Sequence, residues 1–275
     1  MLNNLAILVN TCDKYRDVWE LFIRSFEEFF PECDIPIYLN TETVNVLPFT
    51  TALDVKIVNN SGPWGRRLKS CLHDISEDFV INIFDDYLLE DRLDRRKLYD
   101  IVDLLQINDF LSVVYLNAVS LRYHRDIPNA GFREIKNFTE YRLNSAPSLW
   151  RKKDLLQLTH DNDSPWSWEV FGTYRSFASK KVFLSPSSIN NNIFSYDYKK
   201  GGAIYRGKWV AEVIDEKIKK YNISLDPNIR GYTDSLSNEN RDFSWKLNFI
   251  VNGFKTDGLK AFWFLFFYLR NKINY

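Results

Sequence analysis

Apolar residues recur along this chain in two alternating rhythms. Leu5-Ala6-Ile7-Leu8-Val9 is a continuous apolar run that breaks at the polar turn Asn10-Thr11-Cys12-Asp13, the pattern of a buried strand followed by a helix cap. Trp19, Phe22, Ile23, Phe26 and Phe30 then repeat at spacings of three and four, which lays one stripe of a helix on a core, and Pro31 stops it. Ile35 to Leu39 and Asp54 to Val58 predict the next strands, Asn60 to Pro63 a loop and Gly65 to Ile75 a helix. Leu98, Ile101, Val102 and Leu105 define another amphipathic helix before a strand at Leu111 to Leu116. Strand and helix in alternation predict an α/β fold, a mostly parallel sheet covered on both faces, with a ligand crevice above the first strand.

One strand carries chemistry at its end. Phe79-Val80-Ile81-Asn82-Ile83-Phe84 runs straight into Asp85-Asp86 before apolar residues return at Tyr87-Leu88-Leu89. Two like charges at the end of a buried strand repel unless a cation or hydrogen-bond donors lie between them. The other reading of the pair is a solvated turn ahead of a helix starting near Leu93.

From Asn117 to Ala146 the periodicity fades, as in loop-rich site territory. It returns as a strand end and helix start over Ser148 to Leu158, a short helix over Trp166 to Phe177, a strand at Lys181 to Leu184 and a helix over Val210 to Tyr221. A polar linker follows from Asp226 to Asp242, and then an aromatic segment, Ala261 to Leu269, flanked by Lys255, Lys260, Arg270 and Lys272. In helical form those nine or so residues cover roughly 14 Å, about half a bilayer core, too short to span. A peripheral membrane contact and packing on the domain or on a second subunit are both open for it.

Composition narrows the class. The 275 residues carry 36 Lys plus Arg against 36 Asp plus Glu, so no global field draws the molecule to nucleic acid. Cys12, Cys33 and Cys71 are odd in number and lack CxxC spacing, which excludes a disulfide framework and fits a reducing cytosol. No basic segment precedes the first apolar run, so it reads as a strand and not as a signal sequence. His73, His124 and His160 lie apart, without triad or metal spacing.

Five segments taken in order, Thr11-Cys12-Asp13-Lys14-Tyr15, Trp64-Gly65-Arg66-Arg67-Leu68, Phe84-Asp85-Asp86-Tyr87, Pro165-Trp166-Ser167-Trp168-Glu169, and Gly201-Gly202 with Gly207-Lys208, resemble bacterial GT-A glycosyltransferases of surface-polysaccharide (capsule or O-antigen) assembly. The resemblance covers residues 1 to about 222. It implies a GT-A domain over 1–224, Rossmann-like with helices on both faces of the sheet, while the composition of the remaining residues leaves 225–275 as a linker and a C-terminal aromatic amphipathic helix. It also implies a nucleotide-sugar donor, a UDP-sugar favoured, a saccharide acceptor that is lipid-linked, and a cytoplasmic place at the inner membrane. The chain departs from the family's Asp-x-Asp, since Phe84 stands where the first aspartate would be.

Within that frame each residue type has a task. Asp86 would ligate Mn²⁺ or Mg²⁺, with Asp85 on the metal, a metal-bound water or the ribose, because hard oxygen donors suit those ions. Arg66, Arg67 and Lys208 would neutralise the diphosphate. Thr11 and Asp13 would meet uracil or its ribose, with Trp64 beside them; a helix cap is the other reading of Thr11 and Asp13. Glu169, shielded by Trp166 and Trp168, would be the base of an inverting transfer, and the two tryptophans would offer a sugar a stacking face. Alternatively the tryptophans form a core stripe and Glu169 points to solvent. Asp161 and Asp163 are fallback bases. A sugar-nucleotide nucleotidyltransferase is the competing enzyme, although the first turn lacks its glycine-rich loop. A non-enzymatic sugar-binding or scaffolding subunit is the third possibility.

Overall fold

Strands β1 (Leu5–Asn10), β2 (Ile37–Thr41), β3 (Val55–Asn59) and β4 (Phe79–Phe84) form one parallel half of a nine-stranded sheet. The other half contains β5 (Leu111–Tyr115), β6 (His124–Asp126), β7 (Phe132–Ile135), β8 (Ser148–Arg151) and β9 (Val182–Pro186), and the full order is β3-β2-β1-β4-β8-β5-β9-β7-β6. The structure, a computed structural model, describes residues 4–128, 130–197 and 201–233, with isolated positions 251, 253, 254, 258 and 266.

Two features depart from simple strand-helix alternation. β8 runs antiparallel between β4 and β5. The weakly patterned stretch also contains the hairpin of β6 and β7, added antiparallel to β9. Its strands are only three and four residues long, too short for periodicity to reveal.

The strands of β1 and β4 have no solvent face, and alternation sorts their side chains between two cores. Ile7, Val9, Ile81 and Ile83 join the core under α1 (Trp19–Phe29) and α3 (Arg95–Ile107). Ala6, Leu8 and Val80 join the opposite core, with α2 (Trp64–Asp74), α4 (Lys152–Leu158) and the tryptophans Trp150 and Trp168. This double burial is why both strands read as continuous apolar runs. The segment after β4 does not enter a helix at once. It descends along α1, where Leu89 N–H donates to Ser25 Oγ (3.2 Å) and Leu93 N–H donates to the Phe29 carbonyl (3.0 Å).

On the α4 side, α5 (Pro165–Ser167), a single π-helical turn (Trp168–Gly172) and α6 (Thr173–Ser176) take the place of the expected helix. A second sheet is built from β10 (Ile204–Tyr205), β11 (Lys208–Val210) and β12 (Tyr232–Thr233), accompanied by α7 (Ala211–Tyr221) and α8 (Pro227–Arg230). Ala203, Trp209, Val213 and Ile214 bury into the α1 core. Thus α8 and β12, beyond residue 224, join the same packed unit. The linker past residue 233 and the aromatic segment 261–269, apart from Phe266, lie outside the described residues. Among the described residues no helix is long and apolar enough to cross a membrane.

Candidate active site

Register and topology bring the polar strand tips together. Asn10 pairs with Phe84 and with Asn40, so the ends of β1, β4 and β2 are level, and β2 and β4 leave β1 on opposite sides. That is the switch point of an open sheet, where a crevice forms beyond the carboxyl ends. Asp85 N–H extends the pairing to the Asn10 carbonyl (3.3 Å), and Tyr87 N–H returns to the Phe84 carbonyl (3.2 Å), closing a tight turn with the two aspartates at its centre.

Asp85 is 3% exposed. Its carboxylate accepts the Thr11 hydroxyl, and Thr11 Oγ1 accepts the Trp19 indole N–H at 2.7 Å. Burial and the neighbouring Asp86 charge push the Asp85 carboxyl well above the usual carboxylate range, and burial pushes Asp86 up to about 7. Tyr15 is raised too, by burial and then by these two charges. Neither aspartate has an ion-pair partner among the described residues. The described residues also contain no group of three or more His, Cys, Asp or Glu able to hold a metal. Two hard carboxylate donors with no ion-pair partner among the described residues, whose ionised forms a cation would favour, suit a divalent cation in donor type.

The small sheet closes over this turn. Gly202 has φ +90°, and a Cβ there would lie 2.8 Å from the Asp86 carbonyl oxygen; Ala203 N–H donates to that same oxygen at 2.8 Å. Arg230 holds the sheet in place. It makes a two-pronged pair with Asp17 (2.7 and 2.5 Å), donates to the Lys14 carbonyl (2.7 Å), and lies 4.6 and 5.2 Å from the ring centres of Tyr15 and Trp209. Its charge opposes the rise in Asp85. Nothing in the local pattern of Pro227 to Arg230 signalled this role, because the pairing depends on Asp17 more than two hundred residues earlier.

Several expected ligands have other employment. Asp13 accepts the N–H groups of Glu42 (3.1 Å), Thr43 (3.0 Å) and Val44 (3.4 Å), so both its oxygens pin the loop after β2 in place of the expected base or ribose. Partial burial raises its carboxyl, but the bonds from Thr43, Glu42 and Val44 outweigh it and hold the group below the usual range. Arg67 is 4% exposed and its Nη1 donates to the carbonyls of Thr11 (3.1 Å) and Asn40 (3.2 Å). It ties two strand tips together and is not an open phosphate ligand. Arg66 is exposed and faces Asp161 at 3.8 Å, a carboxylate that also holds Lys69 at 2.6 Å. Lys208 is exposed on β11, and no contact joins it to either aspartate. The first amides of α2 are consumed as well, with Gly65 N–H on the Asp163 carbonyl (2.9 Å) and Arg66 N–H on the Asp161 carbonyl (3.0 Å). Only glycine fits at residue 65, since a Cβ would sit 2.0 Å from the His160 carbonyl oxygen.

Trp64 lies nearly parallel to Phe84 at 6.2 Å and edge-on to Trp168 at 5.9 Å. Around these strand tips the buried Nε1 of Trp64, Nε of Arg67, Oδ1 of Asn10 and both amide atoms of Asn40 have no hydrogen-bond partner among the described residues. Each such group is costly to leave unmade. Trp168 is a fully buried core ring, so the stacking face expected of it does not exist; Trp166 is half-buried.

Glu169 sits in the π-turn, a local form frequent at functional sites. It does not point freely to solvent. Its Oε1 accepts the Ser145 N–H at 2.7 Å, and Ser145 Oγ is 3.1 Å from the Tyr87 hydroxyl. Burial raises the Glu169 carboxyl, while bonds from Ser145 lower it. Tyr87 follows Asp86 in the chain and packs on Tyr196 with ring centres 4.5 Å apart. The geometry therefore joins Asp86 to Glu169 through Tyr87, which belonged to the acidic segment singled out in the sequence, and Ser145, which carried no signal there. Asp163 is fully buried on Arg175 (2.5 Å) and Asp161 is held by Lys69, which removes both as alternative bases.

No protein-family model and no curated protein matches this chain. Solved structures overlay distantly. One is S. aureus TarS 1-349, at 14% identity over 67% of this chain and 58% of that one, with a TM-score of 0.44. Another is the galactosyltransferase LgtC in complex with donor and acceptor sugar analogs, at 13% identity over 63% and 70%, TM-score 0.40. A third is the bifunctional IspDF from Campylobacter jejuni, at 12% identity over 67% and 50%, TM-score 0.39. The chain spans little more than half of the TarS fragment, and the overlay covers 36% of the longer TarS structure.

Proposed function

We propose that this protein is a GT-A-type glycosyltransferase that moves a sugar from a nucleotide-sugar donor to a saccharide acceptor with inversion. One observation carries the reading: an aspartate pair with no ion-pair partner among the described residues and a half-buried glutamate are held at two ends of the path Asp86-Tyr87-Ser145-Glu169. The unsatisfied polar atoms of Asn10, Asn40 and Trp64 beside the pair support a polar ligand at the same strand tips.

In this reading Thr11, Trp64 and the β2 loop pinned by Asp13 border the nucleoside. Asp85 and Asp86 face the diphosphate and would hold Mn²⁺ or Mg²⁺, which when bound neutralises charge on the leaving group. Glu169 accepts the acceptor hydroxyl proton as that oxygen bonds to the anomeric carbon. The bond from that carbon to the diphosphate breaks, and its electron pair leaves with the nucleotide. A base raised by burial is suited to this proton transfer near neutral pH. Trp166 and Tyr87, both half-buried, are the rings left to border a sugar.

The finer assignments follow the same proposal: a UDP-sugar donor and a lipid-linked acceptor in capsule or O-antigen assembly, at the cytoplasmic face of the inner membrane. The aromatic segment 261–269 would supply the peripheral contact. The test is nucleotide release from a panel of nucleotide sugars, with UDP, GDP and CDP compared by thermal shift with and without Mn²⁺. Slow nucleotide release lost in Glu169→Gln, at unchanged folding, supports the transferase. Release unaffected by Glu169→Gln removes the base assignment, and turnover dependent on pyrophosphate replaces the reading with a nucleotidyltransferase.

A further inference from the structure

We propose that Ser145 is the positioning residue for Glu169: its N–H fixes one carboxylate oxygen at 2.7 Å and its hydroxyl, 3.1 Å from Tyr87, ties that carboxylate to the acidic turn. The proposal rests on the transferase reading for its catalytic meaning, but its physical content stands apart from it.

Ser145 is itself firmly held. Leu143 N–H donates to Thr173 Oγ1 (2.9 Å), and Thr173 Oγ1 donates back to the Leu143 carbonyl (3.2 Å), locking the loop to the end of the π-turn. Tyr115 O–H donates to the Arg142 carbonyl (2.7 Å), and Ala146 N–H donates to Asn144 Oδ1 (3.0 Å). Gly172 leaves room for Leu143, whose Cδ2 would lie 2.5 Å from a Cβ at that position. The loop is thus tied to the π-turn, and Ser145 presents its N–H to the glutamate from a fixed place while its hydroxyl meets Tyr87. Among the described residues Oε2 takes no hydrogen bond, so it is the oxygen open to a substrate hydroxyl.

Among the described residues the titratable groups facing Glu169 are the phenols of Tyr87, from the acidic turn, and Tyr115, from β5, both raised by burial and therefore neutral across the working range. The loop's buried cation, Arg142, donates instead to the carbonyls of Ser176 and Lys181. Ser145 is then what stabilises the ionised form. Removing its hydroxyl cuts the tie to Tyr87 that keeps the N–H on the glutamate, so the carboxyl moves upward, and the acidic limb of any reaction needing Glu169 as a base moves upward with it.

The experiment is carboxyl-carbon NMR titration of full-length protein carrying labelled glutamate, with the Glu169 signal assigned by its loss in Glu169→Gln. The expected result is titration above the ordinary glutamate range, raised further in Ser145→Ala, which keeps the N–H but loses its anchor on Tyr87, and returned to the native value in Ser145→Thr. If Ser145→Ala does not fold, Tyr87→Phe is read in its place and moves the signal in the same direction. A Ser145→Ala or Tyr87→Phe titration that coincides with the native one overturns the positioning role. Because the titration needs no substrate, this failure is distinct from that of the transferase reading, which falls if transfer survives Glu169→Gln.

Discussion

The hydroxyl of Thr11 stands between the indole of Trp19 and the carboxylate of Asp85, accepting from the first and donating to the second. A single side chain thereby settles two buried groups, one in α1 and one at the tip of β4. Thr11→Val keeps the shape but strands both, and should cost about 2–4 kcal/mol, the sum of two unmade buried hydrogen bonds. Thr11→Ser should cost less than about 1 kcal/mol by keeping both bonds. Urea unfolding of the two variants checks the contrast, and equal losses would mean that packing of the methyl group matters as much as the hydroxyl.

Asp86 is half-buried with no ion-pair partner among the described residues, and its carboxyl is pushed up to about 7, so its charge opposes folding. Asp86→Asn should raise stability by about 1–2 kcal/mol at pH 8, because an uncharged isostere avoids the desolvation penalty. The same change should abolish nucleotide-dependent thermal stabilisation in Mn²⁺. Thermal melts with and without UDP and Mn²⁺ read both effects in one plate, and a variant less stable than the parent would show that the carboxylate is already compensated.

Arg230 and Asp17 form a pair whose side chains are 5% and 13% exposed. Arg230→Ala leaves Asp17 buried and alone, at a cost of about 3–5 kcal/mol. A chain ending at residue 224 should melt well below one ending at residue 233, since only the longer one carries β12 and the arginine clamp. Scanning calorimetry distinguishes them, and equal melting temperatures would return 225–233 to the status of a linker.

Asp13 responds to acid in the opposite sense from Asp86. Its folded carboxyl lies below the ordinary value, so the stability it lends is complete above the unfolded pKa of about 4 and is lost as pH falls through the folded value. Amide exchange at Glu42, Thr43 and Val44 should therefore accelerate, relative to amides of β2, between pH 5 and pH 3. Asp13→Asn should bring that acceleration to neutral pH.

What the chain discloses by pattern is what burial repeats: the apolar runs of β1 and β4 and the stripe of α1 are legible because both cores demand them. Asp85-Asp86 was legible for the converse reason, charge where an apolar run ends. Arg67 and Arg66 were indistinguishable as neighbours in sequence, yet one is buried on the carbonyls of Thr11 and Asn40 and the other is exposed beside Asp161. Helical rotation by one residue made that difference, and only the packed position of α2 fixes the angle. Trp168 and Glu169 were likewise separated by the π-turn, which sends one ring into the core and one carboxylate toward Ser145. Ser145 and Arg230 had no signature, because their roles are set by partners distant in the chain.

The antiparallel strand β8 has a consequence for how this chain reaches its native state. Ser148–Arg151 pairs with β4 on one side and with β5 on the other, so until it enters, the β3-β2-β1-β4 half and the β5-β9-β7-β6 half share no backbone ladder. The first half closes largely through successive neighbours in sequence, whereas β8 must return across the interval from Phe79–Phe84 to Ser148–Arg151, a loop closure that slows folding. Pairing of this four-residue strand on both edges joins the two halves into one sheet and, in the same event, carries the residues just before it, Ser145 among them, to the acidic turn.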